Sequence, residues 1–382
     1  MTTMTRDVES SVGTVHMLMA FELGQRWWTL GFTTGLGQRP RTRRIAAGAM
    51  DVVLTEIARA KARFGLPPDA PVISCYEAGR DGFWLHRYLL AHGVSNHVVD
   101  SSSIEVDRRA RRTKTDLLDL GGLLTLLARW VAGDRRGWRV VRVPSVGDED
   151  ARQLHRTRET LQGDRTRLIN RLKATLATLG VRLRVTRDFL VRVDAAVLPD
   201  GSAVPPGARQ RLARDWALLQ AVAHELEALD EERDALCVDR TTPTGRAVHA
   251  LQTLRAVGPS GAWVLATEIF GWREIRNGRQ LGALVGLVPA HYQSGETCRD
   301  RGITRAGNQH VRRLMVQLAW GWLRWQPSSA LAQWYHERFA QGGPRLRRIG
   351  IVALARKLLV ALWHYVDHGI LPEGAVLKTA TA

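Results

Sequence analysis

Cysteine is scarce in this chain, and the 3 present, Cys75, Cys237 and Cys298, are scattered and odd in number. This excludes a disulfide framework and a Cys-based zinc site, and leaves reduced thiols. Acidic residues are also short: 37 Asp and Glu face 55 Lys and Arg, for a formal charge of +18 and a pI of about 11.0. Such an imbalance points to a polyanionic partner, with nucleic acid the leading candidate. Long unbroken apolar runs are missing too. The stretch from Ile349 to Tyr365 is interrupted by Arg356 and Lys357, so neither a membrane span nor a membrane partner is predicted. The opening MTTMTRDVESS lacks an apolar h-region and a cleavage site, which predicts a protein that stays in the cytoplasm.

What is present is ordinary in bulk. With 382 residues, 45% hydrophobic and 24% charged, the chain is expected to fold into two or three globular domains, and 13 Trp predict an aromatic-rich core. The pattern from 12 to 146 alternates short apolar runs with amphipathic stretches, as in mixed α/β structure. VHMLMAFELG and QRWWTLGFT read as a hairpin whose first strand ends near Glu22, and VISCYEAG as a buried strand carrying Glu77. NHVVD follows as a third short strand, then an apolar helix from Asp116 to Trp130.

From 147 to 242 two long helical patterns predict an antiparallel hairpin or coiled coil, with Leu154, Leu161 and Leu168 at heptad spacing and Leu212, Leu219 and Leu226 answering them. Its outer face, with Arg152, Arg156, Arg158, Arg171 and Lys173, suits nucleic acid or self-association. The remainder, 243–372, reads as mainly helical, with loops at Val257 to Gly261 and Pro289 to Gly307.

Asp116 and Asp119, three apart, share one helix face. If Glu22 and Glu77 end neighbouring strands, a helix across that sheet edge brings four carboxylates together, as in a ribonuclease H-like or RuvC-like nuclease. Four converging carboxylates repel unless a cation neutralises them, and a hard ion such as Mg²⁺ suits oxygen ligands. Two ions could flank a scissile phosphate in an in-line displacement, with Arg112 and Lys114 guiding the polyanion in. Asp116 would equally serve as a helix N-cap, whereas Glu22 and Glu77 interrupt apolar strands where an unpaired carboxylate is costly.

Ser294 lies in LVGLVPAHYQSGETCRDRGITRAGNQHVRRL, without a Gly-x-Ser-x-Gly elbow or a following Ser-x-x-Lys, so hydrolase and lactamase patterns do not apply. Read alone it is a turn residue. The neighbouring Arg305, Arg312 and Arg313, with Asn308 and His310, make a phosphodiester its natural target if it is a nucleophile.

The ordered set of CYEAG, TKTDLLDL, NRLKATLATLG, LRAVGPSGA, LVGLVPAHYQSG and ITRAGNQHVRRLM, with the strand around Glu22, resembles the DEDD-type insertion-sequence transposases of the 110/1111 family over nearly the whole length. The resemblance implies a RuvC-like domain bearing Glu22, Glu77, Asp116 and Asp119, and a C-terminal transposase domain whose serine corresponds to Ser294. It further implies RNA-guided recombination of donor and target DNA, a noncoding bridge RNA, a covalent phosphoserine, and a homo-oligomer, dimer or tetramer, in the cytoplasm of a bacterium, associated with its nucleoid. Glu22 departs from the family's Asp and adds a methylene to that ligand. Two other readings use the same residues: a metal-dependent junction-resolving nuclease in which Ser294 is structural, and an inactive nucleic-acid-binding assembly protein.

Overall fold

The computed structural model describes residues 16–104, 116–294 and 297–378; the side chains at 102, 116–117, 291–294 and 297–301 lie outside that description. The chain divides into two compact units, 1–143 and 144–382.

The first unit is built on five strands: β1 (Met17–Leu23), β2 (Trp27–Thr33), β3 (Arg41–Ala46), β4 (Val72–Glu77) and β5 (Val94–Val99), in the order β3-β2-β1-β4-β5. The β1–β2 and β2–β3 pairs are antiparallel, and β1–β4 and β4–β5 are parallel. Helices α1 (Met50–Arg63) and α2 (Trp84–Ala91) cover one face and α3 (Asp116–Val131) the other. Burial on both faces is why β1 is apolar almost throughout, rather than alternating. Met17, Met19 and Phe21 pack with Val53, Ile57, Leu85 and Leu89, whereas Leu18 and Ala20 pack with Leu120, Leu123, Leu124 and Leu127.

Gly31 on β2, opposite Ala20, lets α3 settle onto the sheet: a Cβ there would come within 2.9 Å of Leu120 Cδ2 and Leu124 Cδ1. Strand β3 is an addition to the sequence-based expectation. RTRRIA has no apolar alternation, and it forms an edge held partly by charge, with Arg41 Nη2 2.5 Å from buried Glu56 on α1, which Arg59 of the same helix also engages at 2.8 Å. Burial opposes the charge on Glu56, but hydrogen bonds from Arg59 and Arg41 outweigh it and hold the carboxyl below its ordinary range.

The second unit begins with α4 (Val146–Thr178), short α5 (Phe189–Asp194) and α6 (Pro206–Leu236). Ser145 caps α4 in a reciprocal box with Asp148. Helices α4 and α6 form the expected antiparallel hairpin; its main apolar cluster lies in the distal half, where Leu168, Leu172 and Leu176 meet Leu212, Leu219 and Phe189, and the expected Leu226 is buried as well. Nearer the helix ends, ion pairs replace leucine: Arg158 donates to Asp230 at 2.8 and 3.0 Å, and Arg233 also engages Asp230.

Helices α7 (Pro243–Thr253), α8 (Pro259–Leu265), α9 (Gly278–Leu284), α10 (Gln309–Trp325), α11 (Ala330–Tyr335) and α12 (Pro344–His368) make the rest of the unit. By length and composition α12 is apolar enough to cross a membrane, but Leu354, Leu358, Leu359 and Leu362 on it are fully buried in the core of this unit. The expected loop at Pro289 to Gly307 is instead a β-hairpin, β6 (Pro289–Ser294) and β7 (Thr297–Ile303). Its strands are polar, so hydrophobic alternation does not reveal them; paired backbone groups hold them.

Candidate functional site

Glu22 and Glu77 follow Phe21 and Tyr76, which are partners across the parallel β1–β4 pair. Strand alternation puts both carboxylates on the side of Leu18, Ala20 and Cys75, the face that α3 covers. The buried Cys75 thiol confirms the direction of Glu77: its Sγ lies 4.0 Å from Leu123 O on α3, and burial together with the Glu77 charge pushes its pKa up. Both glutamates line one pocket of about 370 Å³ at the carboxyl ends of the strands, together with Gly79, Arg80, Asp81 and Ser101, and Arg80 Nη2 lies 3.9 Å from Asp81 Oδ2. Sequence reading missed Asp81 and Ser101, because both sit in loops that only the folded sheet edge brings in. Ser101 Oγ donates to Ala78 O at 3.0 Å, fixing the turn that follows Glu77.

Asp119 stands half-buried in the first turns of α3, but is not among the residues lining that pocket. Asp116 begins the helix, and its side chain lies outside the described residues, as do Arg112 and Lys114 altogether. Thus two of the four predicted acids share a pocket, and a third lies on the helix covering the same face. Among the described residues no group of three or more His, Cys, Asp or Glu side chains is placed to hold a metal ion.

In the second unit Ser294 ends β6, opposite Thr297 on β7, so it stands at the tip of a hairpin rather than in the expected loop; its side chain lies outside the description. Several basic residues expected to face nucleic acid have partners in the fold. Arg171 pairs with Asp215 at 2.7 Å, Arg313 with Glu159, and Arg312 Nη1 donates to Val285 O at 2.9 Å. Asn308 caps α10, accepting from the backbone N–H of His310 and Val311, while its Nδ2 donates to Glu268 Oε2 at 2.7 Å. Lys173 and Arg305 are exposed, the latter with a left-handed backbone, φ 57°.

Glu268 was not singled out by sequence reading, because LATEIF looks like one more apolar helix turn. It lies in a π-helical turn, Ala266–Phe270, and is 1% exposed. His155 Nε2 lies 3.0 Å from its Oε1, and Arg156 donates to the same oxygen at 3.0 and 2.9 Å. Burial works to raise its pKa, but the His155 and Arg156 interactions prevail and bring it down to about 2. This carboxylate therefore joins α4, the π turn and the cap of α10.

Residues 248–352 match the family described as the Transposase IS116/IS110/IS902 family. The chain is 37% identical over 378 residues to the Sinorhizobium fredii protein named transposase y4rJ, a match covering 95% of both chains. It is 28% identical over 231 residues to the transposase for insertion sequence element IS1328 of Yersinia enterocolitica, covering 59% of this chain and 66% of that one. Against the transposase for insertion sequence element IS1111A of Coxiella burnetii it is 26% identical over 194 residues, covering 50% and 52%. With a relative matching along nearly its whole length, the chain belongs to the IS116/IS110/IS902 family of transposases, enzymes that recombine DNA.

Proposed function

We propose that the chain is an RNA-guided DNA transposase that inserts and excises its own insertion sequence by Mg²⁺-assisted strand cleavage and a covalent phosphoserine at Ser294. The observation that carries this reading is the pairing of Glu22 and Glu77 at one pocket, at the carboxyl ends of adjacent parallel strands and on the face crossed by the helix of Asp116 and Asp119. A mixed sheet with an acidic edge supports a RuvC-like, ribonuclease H-like nuclease domain. The donor set is all carboxylate, which fits a hard divalent ion. Glu22, Glu77, Asp116 and Asp119 would hold Mg²⁺, which supplies positive charge to offset that developing on the scissile phosphate.

Ser294 performs the covalent step. Its Oγ bonds to the scissile phosphorus as the bond from phosphorus to one deoxyribose oxygen breaks. The hydroxyl proton ends on that departing oxygen. A hydroxyl of the second DNA then attacks the phosphoserine, restores a diester and returns the serine hydroxyl. One phosphodiester is exchanged for another, so no external energy source is required. The charge of +18 suits both DNA and a noncoding guide RNA whose pairing selects the sites. A homo-oligomer would let the serine of one protomer complete the acidic site of another.

The test is recombination of a donor plasmid carrying the element with its flanking DNA and RNA. Wild type is expected to yield an SDS-resistant protein–DNA adduct, and Ser294→Ala to lose both adduct and recombination while still binding DNA. Normal recombination by Ser294→Ala would sink the serine assignment, and free ends without an adduct would favour a hydrolytic junction nuclease.

A further inference from the structure

The second unit carries a groove of about 1700 Å³ bounded by α9, the β6–β7 hairpin, α11 and α12. It exceeds the roughly 300–1,000 Å³ of small-molecule sites, so its dimensions suit a segment of polymer. Among the described residues six cations line it, Arg279, Arg305, Arg345, Arg348, Arg356 and Lys357, and no Asp or Glu does. None of the six forms an ion pair with a carboxylate of the described residues, whereas Arg156, Arg158 and Arg171 of α4 are each engaged by one. Among the described residues, then, no carboxylate competes with a phosphate for these cations.

The floor is apolar, with Leu331, Trp334, Ile349 and Val352. Ile349 is 51% exposed, and Lys357 Nζ stands 4.8 Å from the centre of the Trp334 ring, so charge and apolar surface alternate closely. A duplex offers phosphates but keeps its base faces stacked, and has no use for an apolar floor. A single strand presents phosphates and unstacked bases together, and both kinds of surface are then satisfied. DNA is the substrate of the family to which the chain belongs, and strand exchange must hold unpaired ends between cutting and joining.

We propose that this groove binds single-stranded DNA, its phosphates on the six cations and its bases on the Leu331, Trp334 and Ile349 floor. The assignment rests on the strand-exchange reading above, but is tested without cleavage. Full-length protein in metal-free buffer is titrated into labelled 20-mer oligo-dT, a mixed-sequence 20-bp duplex and 20-mer oligo-U. Combined Arg345→Ala, Arg348→Ala and Lys357→Ala should weaken oligo-dT binding by more than about tenfold. The log–log salt slope should fall by about 2, the yield of three lost contacts on a single strand. Duplex binding should change little. Ile349→Ser should weaken oligo-dT binding about fivefold, within the range for losing a base contact, and leave the salt slope unchanged.

Unchanged oligo-dT binding by the triple variant would overturn the proposal. So would an equal loss on duplex, which means a general basic surface, or a loss confined to oligo-U, which means an RNA site. A shift in sedimentation without loss of oligo-dT binding would mean a second copy of the chain occupies the groove. Ser294→Ala separates the two readings: it should bind oligo-dT like wild type, and its recombination bears only on the serine.

Discussion

Glu77 and Glu268 are carboxylates set among apolar residues, one in each unit, and their surroundings are opposite. Glu268 is enclosed, with His155, Arg156 and Asn308 all within hydrogen-bonding distance of its two oxygens. Glu77 is half-buried at a pocket it shares with Glu22, Asp81 and a single Arg80, which pairs with Asp81, while Glu77 itself makes no ion pair among the described residues. The first arrangement satisfies negative charge from within the chain; the second gathers negative charge that an added cation would stabilise. Burial alone does not mark a functional acid, because the number of internal partners separates a fold-holding carboxylate from one left for chemistry.

The contrast breaks most sharply under Glu77→Gln. If the pocket is catalytic, DNA cleavage should fall by about 10²–10³-fold, the scale of losing one electrostatic stabiliser of the transition state, with thermal stability maintained. A variant that unfolds early but retains cleavage per folded molecule would make Glu77 a second Glu268. Glu268→Gln should do the reverse, costing about 3 kcal/mol in denaturant unfolding by leaving Arg156 without its counter-charge and His155 without its carboxylate partner.

Acid titration sharpens the same comparison. The folded Glu268 carboxyl is held at about 2, below its ordinary 4.5. Its contribution to stability is therefore present above pH 4.5 and is lost as the pH falls from there through about 2. Urea midpoints across that window should drop more steeply for wild type than for Glu268→Gln; parallel curves would show that the charge contributes nothing. The smallest effect belongs to Arg158→Ala. Its pair with Asp230 is part-exposed, with side-chain accessibilities of 31% and 33%, so a loss of about 0.5 kcal/mol is expected by the same assay.

Much of the first unit was legible because both-face burial leaves an apolar signature. MLMAFEL and VISCYE stand out as strands, each with a glutamate at or next to its last position, and DLLDLGGLLTLLARWV as a helix. Strand β3 and the β6–β7 hairpin were not legible, because polar edge and hairpin strands draw on backbone pairing that leaves no hydrophobic pattern. The basic face of the helical hairpin was legible as charge but not as partnership, since Asp215 and Asp230 reach Arg171 and Arg158 only once α6 folds back antiparallel.

The sequence by itself determined the family, the polyanionic partner class, the strands that carry Glu22 and Glu77, and the place of Ser294 among arginines. Only the tertiary structure decided the β1–β4 register that sets Glu22 and Glu77 on one face, which acids share a pocket, which cations gather at the α12 groove, and that Glu268 is a buried anchor. The physical reason is the range of the forces involved. Strand and helix periodicity is read over a few neighbours, whereas charge compensation depends on residues such as His155 and Glu268, more than a hundred positions apart, that meet only in the fold.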